Sequence, residues 1–164
     1  MLQSPRLTYE PLTLDALDRF HSLVQDDHVR RYLMDGEVMP REWSEQRVRD
    51  SEHMLASRGV GLALAFERKS GQLVGFCGFL VIGTEGSEPQ LVYALLERFT
   101  GRGHATEMAR AAIDHARANG FSEIIAGVDA SNTASMRVLE KLGFERTATL
   151  QGALGDMFTL RLRL

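Results

Sequence analysis

Three features of the chain predict an α/β fold with a mixed sheet. Leu91 to Leu96 is apolar almost throughout, a long amphipathic segment follows, and Ile124 to Val128 is apolar again. That order is a βαβ unit, so the two strands are expected to lie parallel with a right-handed crossover. Leu62 to Glu67 and Leu73 to Ile82 flank Lys69-Ser70-Gly71, a hairpin signal that makes these neighbours antiparallel. In Met157 to Leu164, Leu160, Leu162 and Leu164 alternate with Thr159, Arg161 and Arg163, the period of a strand with one buried face.

The other elements follow from local signals. Leu7 to Leu12 reads as a short first strand, broken by Pro11. Thr13 is a candidate N-cap for a helix in which Leu14, Leu17, Phe20, His21 and Val24 fall near helical spacing. Asp26-Asp27 opens a shorter helix carrying Val29, Tyr32 and Leu33. Met34 to Trp43, with Gly36 and Pro40, is the expected loop of this half, and Ser44 the expected cap of a third helix. Val48, His53 or Met54, and Leu55 are its inward residues, and Gly59 its stop. Gly83 to Pro89 reads as a polar loop.

In the central helix Ala105, Met108, Ala109, Ala112, Ile113 and Ala116 form an apolar stripe opposite Arg110, Asp114 and Arg117, and Gly120 ends it. The strands on either side of it are expected to be covered on both faces. Asp129-Ala130-Ser131-Asn132 leads into a short helix stopped by Leu142-Gly143-Phe144, and Glu145 to Leu150 is a further strand.

With 44% hydrophobic and 25% charged residues, the 164-residue chain suits one domain over residues 1–164; it shows no linker, internal repeat or low-complexity tract. Its 19 basic and 22 acidic residues are scattered, which argues against a nucleic-acid partner. The one cysteine, Cys77, excludes an internal disulfide and a thiol cluster for zinc, and no metal is expected. Its neighbours Val74 to Val81 read as a buried strand, so the thiol is packed rather than nucleophilic. No apolar run approaches the ~20 residues of a membrane span, and Arg6, Glu10 and Asp15 interrupt any signal-peptide core. A soluble, cytoplasmic protein with no membrane partner is expected.

The stretch Arg98-Phe99-Thr100-Gly101-Arg102-Gly103-His104-Ala105-Thr106 joins an apolar strand to a helix start. Glycines turn backbone N–H groups inward at φ values other residues resist. A helix N-terminus adds unpaired donors and a positive dipole end. The stretch therefore reads as a cradle for a phosphorylated small molecule. A Walker A loop needs Gly-Lys, a pair absent from the chain. A Rossmann fingerprint wants a small residue where Thr106 stands and normally opens its domain, whereas this loop comes late. What remains is Arg/Gln-x-x-Gly-x-Gly/Ala, carried by Arg98, Gly101 and Gly103.

Through Gly101 to Glu107 and Asn132 to Phe144, the chain resembles the GNAT superfamily of N-acetyltransferases. The tighter likeness is to its RimJ/RimL-like ribosomal-protein-alanine acetyltransferase branch, which the opening Arg6-Leu7 and Pro11-Leu12-Thr13-Leu14-Asp15 also resemble. The likeness runs nearly end to end and is weakest between Met34 and Arg58. It implies a mixed, mostly antiparallel sheet of six or seven strands, flanked by helices, around a central βαβ acyl-CoA unit. It also implies acetyl-CoA as cosubstrate. The pantetheine arm would lie between the splayed strands 91–96 and 124–128, pairing with backbone near Leu95. The pyrophosphate would sit on the amides of Arg102, Gly103, His104, Ala105 and Thr106, with Arg98 and Arg102 beside it. Asn132 matches a position that touches the arm or orders the site. Read alone, the alternatives are a helix cap for Asn132 and a solvated side chain for Arg98.

Acetyl transfer to an amine needs a neutral nucleophile, oxyanion stabilisation and a proton for the leaving thiolate. A chain whose single cysteine is buried suits direct attack in a ternary complex. Relatives often carry a tyrosine acid where this chain has Leu139, and a glutamate where it has Gln90. Ser135 is the candidate acid, since Ser135, Val138, Leu139 and Leu142 share one helix face. A hydroxyl satisfied by local backbone is the alternative. Asp129, at a strand C-terminal end, is the candidate base, with Glu88, Asp156 or water behind it. Tyr93 is the third catalytic candidate or a site-lining residue.

The expected function is N-acetyl transfer from acetyl-CoA to a primary amine, whether a protein N-terminus, an aminoacyl group or a small amine. Leu139 and Gln90 motivate the alternative of a non-catalytic acyl-CoA-binding or sensor protein. A nucleotide-binding protein that ignores the pantetheine arm is a third reading. Acceptor choice falls to Asp26–Arg58, with Met34 and Trp43 as lining residues. Since relatives often dimerise, a homodimer is a further expected assembly.

Overall fold

The computed structural model describes residues 1–82, 88–152 and 155–164. Strand β1 (Leu7–Pro11) is followed by a 3₁₀ turn (Leu14–Ala16) and helices α1 (Leu17–Val24), α2 (Asp27–Leu33) and α3 (Arg41–Arg58). Strands β2 (Leu62–Glu67), β3 (Leu73–Val81) and β4 (Pro89–Leu95) come next. Helix α4 (His104–Ala118) leads to β5 (Glu123–Asp129), and α5 (Thr133–Lys141) to β6 (Glu145–Gly152) and β7 (Gly155–Arg163). The seven strands make one sheet in the order β1-β2-β3-β4-β5-β7-β6. Every neighbouring pair is antiparallel except β4–β5, which is parallel as the βαβ pattern predicts. The polar loop expected over Gly83 to Pro89 lies outside the described residues except for Glu88 and Pro89, and Pro89 already belongs to β4.

Two cores lie on opposite faces of the sheet. On one, α1, α2 and α3 bring Phe20, Leu23, Val29 and Val48 onto Leu64, Phe76, Leu80 and Val92. On the other, the α4 stripe of Met108, Ala109, Ala112, Ile113 and Ala116 and Leu139 of α5 cover Phe79, Leu91, Ile124, Ala126 and Val128. Cys77 is fully buried there. Among the described residues no helix is long and apolar enough to cross a membrane.

Several sequence expectations are corrected. Leu14 is exposed, because the chain after Thr13 starts as a 3₁₀ turn, whose period does not place Leu14 with Leu17 and Phe20. Tyr32 and Leu33 are exposed as well; the seven-residue α2 buries only Val29. Helix α3 starts at Arg41 behind Pro40, so Trp43 is helical rather than in the loop. Ser44 is not its cap: it is buried one turn in, and its Oγ lies 2.8 Å from Nδ1 of His21. Ser44, Val48, Ser51 and Met54 face inward, which leaves His53 and Leu55 outside.

The strands β4 and β5 are not doubly buried. Leu91 and Val92 are buried, but Tyr93, Ala94 and Leu95 are only half-buried. In β5, Ile124, Ala126 and Val128 are buried, whereas Ile125 and Asp129 are half-buried and Gly127 is exposed. The reason is geometric: the parallel pairing consists of a single bridge, Gln90 with Ile125. Past it the strands diverge, and the helices of the α1–α3 face stop over β2, β3 and β4.

Gly78 shows how tightly the anchored half is assembled. Its φ is +140°, and a Cβ there would stand 2.0 Å from the carbonyl oxygen of Gly61. Gly78→Ala is expected to lower stability by about 2–4 kcal/mol, read as a reduced urea midpoint. An unchanged midpoint would show that β2 and β3 part at no cost.

Candidate active site

The glycine loop is built by local backbone preference. Gly101 (φ +70°) and Gly103 (φ +79°) adopt left-handed conformations that disfavour side chains. Gly103 stands at the N-cap of the 15-residue α4 and offers no side-chain acceptor. Among the described residues, the N–H groups of 101–106 form no well-aligned hydrogen bond with a protein acceptor. These donors and the positive dipole end are left for an anion.

Phe99 forms the platform beside them. It is buried, and the guanidinium carbons of Arg98 and Arg102 lie 4.9 and 5.8 Å from its ring centroid. The His104 ring stacks on the same side chain, 6.0 Å between centroids. His104 is buried with no partner for Nδ1. Burial and then the Arg6 charge hold its pKa below the ordinary imidazole value, so the ring is neutral at pH 7.

The parting of β4 and β5 makes the second component. Leu95, at the end of β4, pairs antiparallel with Gly75 of β3 and has no partner in β5. The furrow it borders therefore carries free backbone polar groups on its β4 side. Tyr93 bridges this furrow: its hydroxyl lies 2.7 Å from Oγ of Ser135 on α5. Asn132 caps α5, its side chain accepting from the Ser135 N–H at 3.1 Å. The cap reading of Asn132 thus holds, and the Ser135 side chain turns to Tyr93 instead of bonding its own helix backbone. Burial pushes the Tyr93 phenol up to about 12, with the Ser135 hydrogen bond opposing that shift.

Asp129 ends β5 on the opposite face of the sheet. Residues alternate across a strand, so Asp129 shares the uncovered face with Gly127 and Ile125. Burial, and then the nearby charge of Asp35, push its carboxyl above the ordinary range. Asp35 sits at φ +53° in the turn after α2. Gln90 leans over the same face, with Oε1 3.2 Å from where a Gly127 side chain would begin. Of the other base candidates, Glu88 lies just before β4 with its carboxylate 3.7 Å from Arg161, and Asp156 is exposed in β7.

The structure gathers the predicted residues at one end of the β4–β5 pair, where the loop, the furrow and the start of α5 meet. Two elements were missed. Arg6 and Glu107 form an ion pair against the loop, and Asp35 approaches Asp129. Neither pair has a signature in local spacing. A polar cavity of about 500 Å³ opens at the other end of these strands, by Pro89, Phe121 and Glu123, away from this constellation. Among the described residues no three His, Cys, Asp or Glu side chains are grouped to hold a metal.

A parallel pair that parts after one bridge, with an uncapped glycine loop at the mouth of the gap, defines an α/β sheet of the acetyltransferase type. The chain belongs to the GNAT acetyltransferase family: the domain described as Acetyltransferase (GNAT) matches residues 6–145. It is 29% identical over 141 residues to the uncharacterized protein YkkB of Bacillus subtilis (strain 168), covering 84% of this chain and 80% of that one. It is 26% identical over 155 residues to the uncharacterized N-acetyltransferase p20 of Bacillus licheniformis, covering 92% and 85%. Its fold is similar to that of RimL, a ribosomal α-N-protein acetyltransferase solved in complex with coenzyme A, at a TM-score of 0.80 and 19% identity, covering 98% of this chain and 96% of that one.

The Tyr93 environment yields a stability test. A phenol whose pKa rises from 10 unfolded to about 12 folded binds its proton more tightly in the native state. Its contribution is complete below pH 10 and is lost as pH climbs towards 12. Tyr93→Phe is expected to lose about 2–3 kcal/mol less than wild type over that interval, measured by urea unfolding at successive pH values. Identical pH profiles would place the phenol in a water-like setting.

Proposed function

We propose that the protein is an acetyl-CoA-dependent N-acetyltransferase of the RimJ/RimL-like kind, acting on a primary amine by direct attack in a ternary complex. The observation that carries this reading is the convergence, at one end of β4 and β5, of free α4 amides, an unpaired strand edge and a hydroxyl pair. The N-acetyltransferase names of p20 and RimL support it. The acceptor is a protein N-terminus, an aminoacyl group or a small amine, and a cytoplasmic setting without nucleic-acid or membrane partners belongs to the same reading.

The residues fit this donor. Free amides from Arg102 to Thr106 suit a pyrophosphate, with Arg98 and Arg102 held beside it on Phe99. The unpartnered edge near Leu95 suits an extended arm bearing amide groups. Acetyl-CoA supplies an activated acetyl thioester. The net change is one N–C bond formed, one C–S bond broken and one proton moved from nitrogen to sulfur.

The two faces of the sheet divide the work. Asp129 and Asp35 give the uncovered face a negative potential that draws in an ammonium group, and Asp129 receives the proton the amine gives up. Gln90 accepts a hydrogen bond there and orients the nitrogen lone pair. On the other face Tyr93 and Ser135 keep their protons at neutral pH, the phenol at about 12. Ser135 acts as the hydrogen-bond donor to the sulfur with Tyr93 behind it, and solvent completes the protonation of the thiolate. Either hydroxyl can donate across this 2.7 Å contact; in the arrangement proposed here Tyr93 donates, which leaves the Ser135 proton for the furrow.

Saturating acetyl-CoA at a hundredfold its Kd is expected to add ~2.7 kcal/mol, a rise in Tm of roughly 5–11 °C, with ATP and NAD as inactive controls. No shift at millimolar acetyl-CoA would remove the donor from this reading. Ser135→Ala is expected to lower kcat by about 10²-fold or more while acetyl-CoA affinity stays within about threefold. Binding without turnover across a panel of primary amines would favour the non-catalytic acyl-CoA-binding alternative.

A further inference from the structure

We infer that Arg6 is a positioning residue for the phosphate cradle, aiming the Gly103 N–H at the ligand and cancelling the charge of Glu107. This rests on the reading that the 101–106 loop takes the pyrophosphate of an acyl-CoA. Arg6 precedes β1 and reaches across 101 residues of sequence to α4. Its main-chain N–H donates to Glu107 Oε1 at 2.8 Å, and its Nε to Oε2 at 2.6 Å. Its Nη1 donates to the Arg102 carbonyl at 2.9 Å. Arg6 thus grips both the loop and the first turns of the helix.

The peptide geometry turns that grip into a direction. Among the described residues no peptide is cis, and in a trans peptide the N–H points opposite to the preceding C=O. With the Arg102 carbonyl held on the Arg6 side, the Gly103 N–H faces the other way, out of the loop. Nη2 of Arg6 lies 3.4 Å from where a Gly103 side chain would begin, so glycine here also makes room for the guanidinium.

The ion pair settles the local charge. The Glu107 side chain is only 11% exposed. Burial alone would raise its pKa, but hydrogen bonds from Arg6 and Ser4 outweigh burial and hold the carboxyl below the ordinary range. It is therefore ionised, one turn behind the amides meant for an anion. Without Arg6 that charge would oppose the phosphates; with Arg6 the helix end presents its positive dipole.

Calorimetric titration of the full chain with coenzyme A, and with pantetheine as the same arm without phosphates, tests the inference. Arg6→Ala is expected to weaken coenzyme A about 10- to 30-fold and pantetheine less than about twofold. Glu107→Gln added to Arg6→Ala is expected to recover about three- to fivefold of the coenzyme A affinity, because the opposing charge is gone. Should Arg6→Ala not fold, Arg6→Lys keeps the charge without the fork, and an intermediate loss confined to coenzyme A is expected. Equal losses for both ligands, or no loss for either, would overturn the inference alone. Failure of the wild-type chain to bind coenzyme A would overturn the acyl-CoA reading and this inference with it.

Discussion

Only one bridge, between Gln90 and Ile125, holds the parallel strands β4 and β5 together. Each strand is otherwise committed elsewhere: β4 is paired with β3 from Pro89 to Leu95, and β5 with β7 along its whole length. The sheet is therefore two well-paired halves, joined at one point and held by α4, whose apolar stripe touches residues of both. Parted strands leave backbone donors and acceptors without partners, which a protein interior does not tolerate. Here they border an open furrow, and an extended polar ligand is the natural occupant.

The same divergence sorts side chains by face. Leu91, Tyr93 and Leu95 point towards α4 and α5, and Val92 and Ala94 towards the α1–α3 core. On β5 the alternation buries Ile124, Ala126 and Val128 and leaves Gly127 and Asp129 uncovered. One face at the end of this strand pair thus carries the Tyr93 and Ser135 hydroxyls and the other the Asp129 carboxyl. On the proposed reading these are the environments for an amine and a thiolate, and the pleat supplies both within a few residues of each other.

A net charge of -3 does not prevent a cationic corner. Phe99 gathers Arg98 and Arg102 at the loop, while His104 beneath them stays neutral. The Arg6–Glu107 pair adds no net charge but orders the backbone between them. The positive character of this corner comes mostly from where amides point, with arginines raising the local potential.

By itself the sequence determined everything that depends on a few neighbouring residues. The left-handed turns at Gly101, Gly103 and Gly143, the Asn132 cap, the α4 stripe and the parallel order of β4 and β5 were all legible, because backbone φ, capping and helical periodicity are local. Ser44 and Leu14 misled because a cap or a helical phase is set by where a helix starts, and Pro40 and a 3₁₀ turn moved those starts. Only the tertiary structure decided the furrow: apolar runs report that residues are covered, not by which neighbour, so β4 and β5 read as ordinary buried strands. It likewise decided the contacts of Tyr93 with Ser135 and Arg6 with Glu107, and the placing of Asp35 where its charge is felt by Asp129. Those residues lie far apart along the chain and meet only because the sheet order brings them to one end of one strand pair.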